Sequence, residues 1–105
     1  MTEQLEQNIV ICGRLGKTPE LRYSKNKQIP MCLLDIAENK ENQEEAIWHK
    51  VIVWGEDAQH CTQRLKTGMQ FFIQGNRQRR KYTDREGNPK SVEEVKAKLI
   101  GFPRS

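Results

Sequence analysis

Ala46-Ile47-Trp48-His49-Lys50-Val51-Ile52-Val53-Trp54 (AIWHKVIVW) is the stretch from which the fold is read. It is dense in β-branched and aromatic residues, the composition of a strand. Side chains alternate along a strand, so Trp48, Lys50, Ile52 and Trp54 share one face, and Ile47, His49, Val51 and Val53 the other. The second face is a plain core face. The first mixes aromatic, basic and apolar groups, more than packing against an interior requires.

Downstream, Gly55 ends the strand and Glu56–Leu65 reads as a short helix. Ala58, Cys61 and Leu65 fall at helical spacing, with Glu56 and Asp57 in the first turn, Arg64 and Lys66 near the end and Gly68 beyond. Met69–Gln78 is a further strand interrupted by Gly75. A basic segment carries it to Tyr82, and the tip Asp84–Pro89 turns the chain into a last strand, Ser91–Ile100. Upstream, Glu38–Glu45 (ENKENQEE) has no apolar residue and is a solvated loop. Before it, Ile29–Ile36 is a long strand and Asn8–Leu15 (NIVICGRL), closed by Gly16, is the opening one. Gly13 within it predicts a bulge or sharp bend. Between them, Leu21–Tyr23 extends a strand toward the polar turn Lys25-Asn26-Lys27.

Three strands, a helix and two strands, with glycines at bends and one long polar hairpin, predict an all-β OB-fold. This is a five-stranded Greek-key barrel with one short helix between its third and fourth strands. The chain's 105 residues suit one such domain, residues 1–105. Only 35% of residues are hydrophobic and 30% are charged, so self-association that buries more surface is expected. Eighteen Lys+Arg against 14 Asp+Glu give a net charge of +4, which favours a polyanionic partner, although many small basic proteins bind none. Cys12, Cys32 and Cys61 are odd in number and widely spaced, against a disulfide framework or a zinc site. The polar, acidic start MTEQLEQ lacks a leader pattern, and no run of 18 apolar residues occurs, so a cytoplasmic protein with no membrane partner is expected.

Two features carry candidate chemistry. Trp48 and Trp54 offer flat rings on which bases stack, contributing about 1–3 kcal/mol per base, with Lys50 between them to meet a phosphate. The alternative is that both tryptophans pack, but Ile47, Val51 and Val53 already supply a core face. Arg77–Tyr82 (RQRRKY) is the second: on an extended strand Arg77, Arg79 and Lys81 face one way, and Arg80 and Tyr82 the other. Read alone it is either a solvated hairpin or an arm offering charge to a backbone and a ring to a base. With no acidic run beside it in sequence, and the tryptophan strand in the same domain, nucleic acid is favoured. Tyr23, with Arg22, Lys25 and Lys27, repeats this pattern in miniature, or caps the core edge. His49 reads as a buried, hydrogen-bonded histidine and His60 as a solvated one. Glu44–Glu45, Glu56–Asp57 and Glu93–Glu94 are adjacent acids that on a strand splay to opposite faces. No nucleophile motif, phosphate-binding glycine loop or metal triad is present, so neither catalysis nor a cofactor is expected.

These residues resemble those of the bacterial single-stranded-DNA-binding proteins. Asn8–Tyr23 (NIVICGRLGKTPELRY) is similar to their opening strand and the segment after it. Trp48–Gly55 (WHKVIVWG) resembles their third strand, Leu65–Gly75 (LKTGMQFFIQG) their fourth, and Arg79–Gly87 (RRKYTDREG) their long hairpin. The resemblance implies an OB-fold that assembles, commonly as a homotetramer, and wraps single-stranded DNA during replication, recombination or repair. It places stacking aromatics at Trp48 and Trp54 and in the hairpin at Tyr82, and turns His49 toward a subunit contact. Lys40 stands where some members have a further aromatic, so a stacking site is replaced there by a phosphate contact. Phosphate contacts are expected from Lys50, Arg77, Arg79, Arg80 and Lys81, with Arg22, Lys25, Lys27 and Lys40 second in rank. The ending Gly101–Ser105 (GFPRS) lacks the acidic, hydrophobic tip by which replication members recruit partners. This favours an accessory, plasmid, phage or mobile-element member, although a chain stripped of such a tail reads the same. Three alternatives stay open: a dimeric primosomal protein binding DNA and a helicase or its loader, an RNA-binding OB domain, and a metal-dependent nuclease.

Overall fold

The structure, a computed structural model, describes residues 2–24 and 26–102. Its elements in chain order are β1 (Thr2–Leu15), β2 (Glu20–Tyr23), β3 (Pro30–Glu38), β4 (Ile47–Trp54), α1 (Glu56–Arg64), β5 (Gln70–Thr83) and β6 (Pro89–Gly101). Alternation along the strands decides what lies inside. Cys32, Leu34 and Ile36 of β3, Val51 and Val53 of β4, Ile11 and Leu15 of β1, and Phe71 and Ile73 of β5 are all buried in one cluster, with Val95 of β6. Ala58 and Cys61 of α1, and Leu65 just after it, close one end of that cluster.

The strands follow the order β1-β5-β6-β4-β3-β2, and an additional β1–β3 pairing closes the first five into a ring. The closure is short, Arg14 opposite Ala37 and Leu15 opposite Ile36. β2 pairs with the other end of the same β3 edge, from Glu20 opposite Leu33 to Tyr23 opposite Pro30. The result is the five-stranded OB barrel that the element order predicts, with β2 as a short flap. Only β4–β6 is parallel, through Val51 opposite Val95 and Ile52 opposite Lys96.

Gly13 marks the seam rather than a bulge. A side chain there would collide with the Ala37 carbonyl and the Ile36 side chain, so glycine lets β1 lie close across β3. The ladder slips of β1 occur earlier, between Gln4 and Glu6 and between Glu6 and Ile9. There Asn8 takes a positive φ of 55° and its backbone N–H donates to Asn76 Oδ1 at 3.1 Å. The far end of β1 is pinned to the loop after α1 by Leu15 N–H to Met69 O, 3.0 Å, and Gly68 N–H to Leu15 O, 2.7 Å.

Three sequence expectations are corrected. β1 begins at Thr2 rather than Asn8. Its polar first half carries no apolar alternation because it lies along the β5 arm beyond the barrel, from Thr2 opposite Arg80 to Glu6 opposite Arg77. Gly75 does not interrupt β5; it sits at a register shift against β6, where a side chain would strike the Lys96 carbonyl. Ile52, read onto the mixed face of β4, is fully buried, so that face is sealed at its middle.

Cys32 and Cys61 are buried free thiols, whereas Cys12 is exposed on β1. Burial pushes the Cys61 thiol up to about 11, helped by the nearby Cys32 and Asp57. Burial likewise raises the Cys32 thiol, opposed by a hydrogen bond from Thr62. Thiolate is the reactive form. An alkylating reagent at neutral pH will therefore label one thiol of the native protein rapidly, at Cys12, and the other two only after unfolding. Three equally fast thiols would contradict this packing.

Candidate nucleic-acid interface

Closing the barrel turns the outer surface of β2, β3 and β4 into a trough, over one side of which the β5–β6 hairpin projects. A depression of about 640 Å³ lies there, its lining including Arg22, Met31, Leu33, Lys50, Arg80 and Tyr82. Lys50, Arg80 and Tyr82 come from two separate sequence features and meet only in the fold. Trp48 and Trp54 flank Lys50 along β4. Six residues of strand place them about 20 Å apart. Trp48 is opposite Ala37 and Trp54 opposite Met31 in the β3 ladder.

The two indoles are not equivalent. Trp48 is 61% exposed, and Trp54 is half-buried. The six-membered edge of the Trp48 ring lies over Gly16, where a β-carbon would collide with it. Gly16 is held in turn by its N–H donating to the Asp35 carbonyl at 2.9 Å. The loop leaving β1 thus seats the ring while leaving much of it in solvent. Tyr82 is 43% exposed, and the Arg80 guanidinium carbon stands 5.7 Å from its ring centroid. Neither indole is sealed in the barrel interior, so both meet the condition for stacking.

The charges around the trough are largely paired. Lys17 meets Asp35 at 2.8 Å, Arg22 meets Glu20 at 2.7 Å, and Arg80 meets Glu94 at 3.0 Å. The Asp35 carboxylate holds the Lys17 ammonium above its usual value. Glu94 is only 4% exposed and fully engaged: Gln78 Nε2 donates to its Oε2 at 2.8 Å, while Arg80 Nε and Nη2 donate to the carboxylate at 3.0–3.1 Å. A buried carboxylate needs such partners to stay ionised, and here it fixes the guanidinium beside Tyr82. Lys50, opposite Asp35 in the ladder, has no ion-pair partner among the described residues.

The arm divides as its alternation predicts. Arg80 and Tyr82 face the trough, whereas Arg77, Arg79 and Lys81 fall on the other side. The expectation that this basic run lacks an acidic counterpart is overturned. Arg79 lies between Glu3, 2.8 Å, and Glu93, 2.9 Å, and Arg77 is 3.7 Å from Glu6. Glu93 and Glu3 hold the Arg79 proton more firmly than in a free guanidinium. The acids come from β1 and β6, distant in sequence and adjacent only after pairing. The tip as read from sequence, Asp84–Pro89, sets Arg79 against Glu94; the observed register, with Thr83 opposite Pro89, sets it against Glu93 instead. Glu3 and Glu6 gave no such signal.

Lys27 and Lys40 stand exposed in loops outside the lining of the depression, and Lys25 lies outside the described residues. His49 is on the inner side of β4, as read, with its Nε2 3.0 Å from Glu38 Oε1. His60 is exposed on α1. Among the described residues no cluster of three or more His, Cys, Asp or Glu is placed to hold a metal ion, and no helix is long and apolar enough to cross a membrane. Of the C-terminal segment, Pro103–Ser105 lie outside the described residues.

A closed OB barrel with one exposed and one half-buried indole on the outer face of β4, a lysine between them that has no ion-pair partner among the described residues, and an arm bearing a tyrosine over that face is the architecture of a single-strand nucleic-acid-binding domain. The chain belongs to the Single-strand binding protein family, which it matches over residues 6–103. It is 32% identical over 97 residues to Single-stranded DNA-binding protein 2 of Clostridium acetobutylicum, an alignment covering 89% of this chain and 73% of that protein.

The seat of Trp48 gives a test that leaves the indole itself in place. Gly16→Ala inserts a methyl where the ring edge rests and displaces the ring toward solvent, at a stability cost below about 1 kcal/mol because the ring is free to move. Affinity for an oligonucleotide should fall while the melting temperature holds. Unchanged affinity would remove this end of β4 from the interface.

Proposed function

We propose that this protein binds and protects single-stranded DNA without regard to sequence, during replication, recombination or repair, by stacking bases on Trp48, Trp54 and Tyr82. Family membership carries the DNA binding itself. The observation that supports these particular residues is their placement: Trp48 and Trp54 on the outward face of β4 beside Lys50, which has no ion-pair partner among the described residues, and Tyr82 on the arm across the trough. Every base has a flat face, so stacking tolerates any sequence.

Lys50 and Lys81 are the first phosphate contacts, because neither shares its charge with a carboxylate among the described residues. Arg80 acts through its free N–H groups while Glu94 holds it. Arg77 and Arg79 join when phosphate replaces their carboxylate partners. Arg22, Lys25, Lys27 and Lys40 contact the strand as it leaves the trough. The role is one of binding rather than catalysis, in the cytoplasm and on the nucleoid.

Self-association into a tetramer or dimer completes the reading. Supporting it are exposed apolar side chains on the outer face of β1, β5 and β6. Val10, 58% exposed, is aligned through Gln74 with Leu99, 54% exposed, and Cys12 is aligned with Phe72 in the next rank. Exposed apolar groups grouped in this way mark an interaction surface. His49 lies toward a subunit contact at the end of β4. Replication proteins are further partners.

Two measurements test the DNA surface. Titration of labelled oligo-dT should show affinity falling with salt by about 0.7 log units per log unit of salt for each phosphate contact; a flat response counts against it. Trp54→Ala should lose about 1–3 kcal/mol of binding, the contribution of one stacked base, without unfolding the domain. A variant that binds normally would exclude Trp54 from the surface.

A further inference from the structure

The arm that is most basic in sequence is close to neutral in the fold. Three of its four cations are ion-paired, Arg77 with Glu6, Arg79 with Glu3 and Glu93, and Arg80 with Glu94, while Lys81 has no ion-pair partner among the described residues. These carboxylates differ in kind. Glu94 is buried and doubly bonded, and belongs to the framework. Glu93 lies in the same hairpin as its partner, so the arm's own ladder keeps it in place. Glu3 and Glu6 arrive from the first half of β1, a segment joined to the barrel through two register shifts and a positive-φ Asn8. Their side chains are 64% and 59% exposed. Exposed ion pairs are weak and screened by salt, so a polyanion presenting phosphates at high density can displace them.

We propose that Glu3 and Glu6 set the protein's affinity for single-stranded DNA, because they occupy Arg79 and Arg77 in competition with DNA phosphates. The inference rests on the arm being part of the DNA surface, and adds that its back face is held in reserve. At moderate salt the trough, through Lys50 and the aromatic rings, carries the contact. The arginines on the back face engage only when the acidic strand yields. The carboxylates thereby hold binding weaker than the sequence charge of the arm implies, and keep that face from attracting polyanions indiscriminately.

The test compares oligo-dT binding by the full chain and by the double variant Glu3→Gln, Glu6→Gln across a salt series. A second double variant, Glu56→Gln, Asp57→Asn, removes the same charge from α1, which packs on β2, β3 and β4 rather than on the arm. The arm variant should bind at least about threefold more tightly at low salt. Its salt dependence should steepen by about 0.7 to 1.4 log units per log unit, for one or two arginines released, the lower figure applying if Glu93 retains Arg79. The α1 variant should stay near wild type.

Equal affinity of the arm variant and wild type, weaker binding by a folded arm variant, or equal tightening by the α1 variant would each overturn the inference. Amide exchange of Thr2–Gln7 in the wild-type protein supplies a measurement that needs no variant. Protection should drop when oligo-dT is added, and protection that holds or rises is contradictory. Wild type that fails to bind oligo-dT sinks the DNA surface and this inference together. Wild type that binds, with no difference in the arm variant, sinks this inference alone.

Discussion

Two ladder positions, Arg14 against Ala37 and Leu15 against Ile36, convert a twisted sheet into a barrel. Closure depends on a near contact that only glycine permits, since any side chain at position 13 would meet the Ala37 carbonyl. Inside the ring, the aliphatic faces of β1, β3, β4 and β5 bury one another, and α1 stops one end. Outside it, the curvature gathers β2, β3 and β4 into a concave surface that a flat sheet would not have. The interior and the trough are thus two consequences of the same seam.

Within the trough, charge is arranged with economy. Most cations are matched by carboxylates, so the bare count of basic residues overstates the positive field a DNA strand meets. What remains open is a lysine between two indoles, and a tyrosine fixed beside an arginine that a buried glutamate holds still. Such a surface suits a ligand with flat rings on a flexible charged thread, since it offers rings for stacking and a lysine without an ion-pair partner among the described residues. A site of this design distinguishes single strands from duplex because only unpaired bases expose their faces.

The helix, the long strands and the hairpin were legible because alternation and helical spacing are local. The alternation of β4 was read correctly, but Ile47, read as core, stands outside the core cluster, and Ile52, read onto the mixed face, is buried. Ile52 lies between Leu33 of β3 and Lys96 of β6, and no pattern within the strand announces either neighbour. The acidic first residues were left out of the opening strand because their partner lies some seventy positions away and their contacts are ionic, leaving no apolar rhythm. For the same reason the arm appeared unopposed. The neutrality of the β5 arm is a property of strand pairing, and Glu3 and Glu6 enter it only once β1 is laid along Arg77 and Arg79. The splitting of the arm into Arg80 and Tyr82 on one side and Arg77, Arg79 and Lys81 on the other was visible, since it needs only the period of a strand.

The central claim is that the outer face of β4, opened by barrel closure, is where DNA lies. Its most direct measurement uses the two indole N–H resonances of the protein, one from Trp48 and one from Trp54, followed by NMR as oligo-dT is added. Both should shift strongly and saturate together, accompanied by the backbone amides around Lys50 and Tyr82, with α1 unaffected. Indole signals that stay fixed while the perturbation gathers on α1 and the outer face of β6 would place the DNA elsewhere.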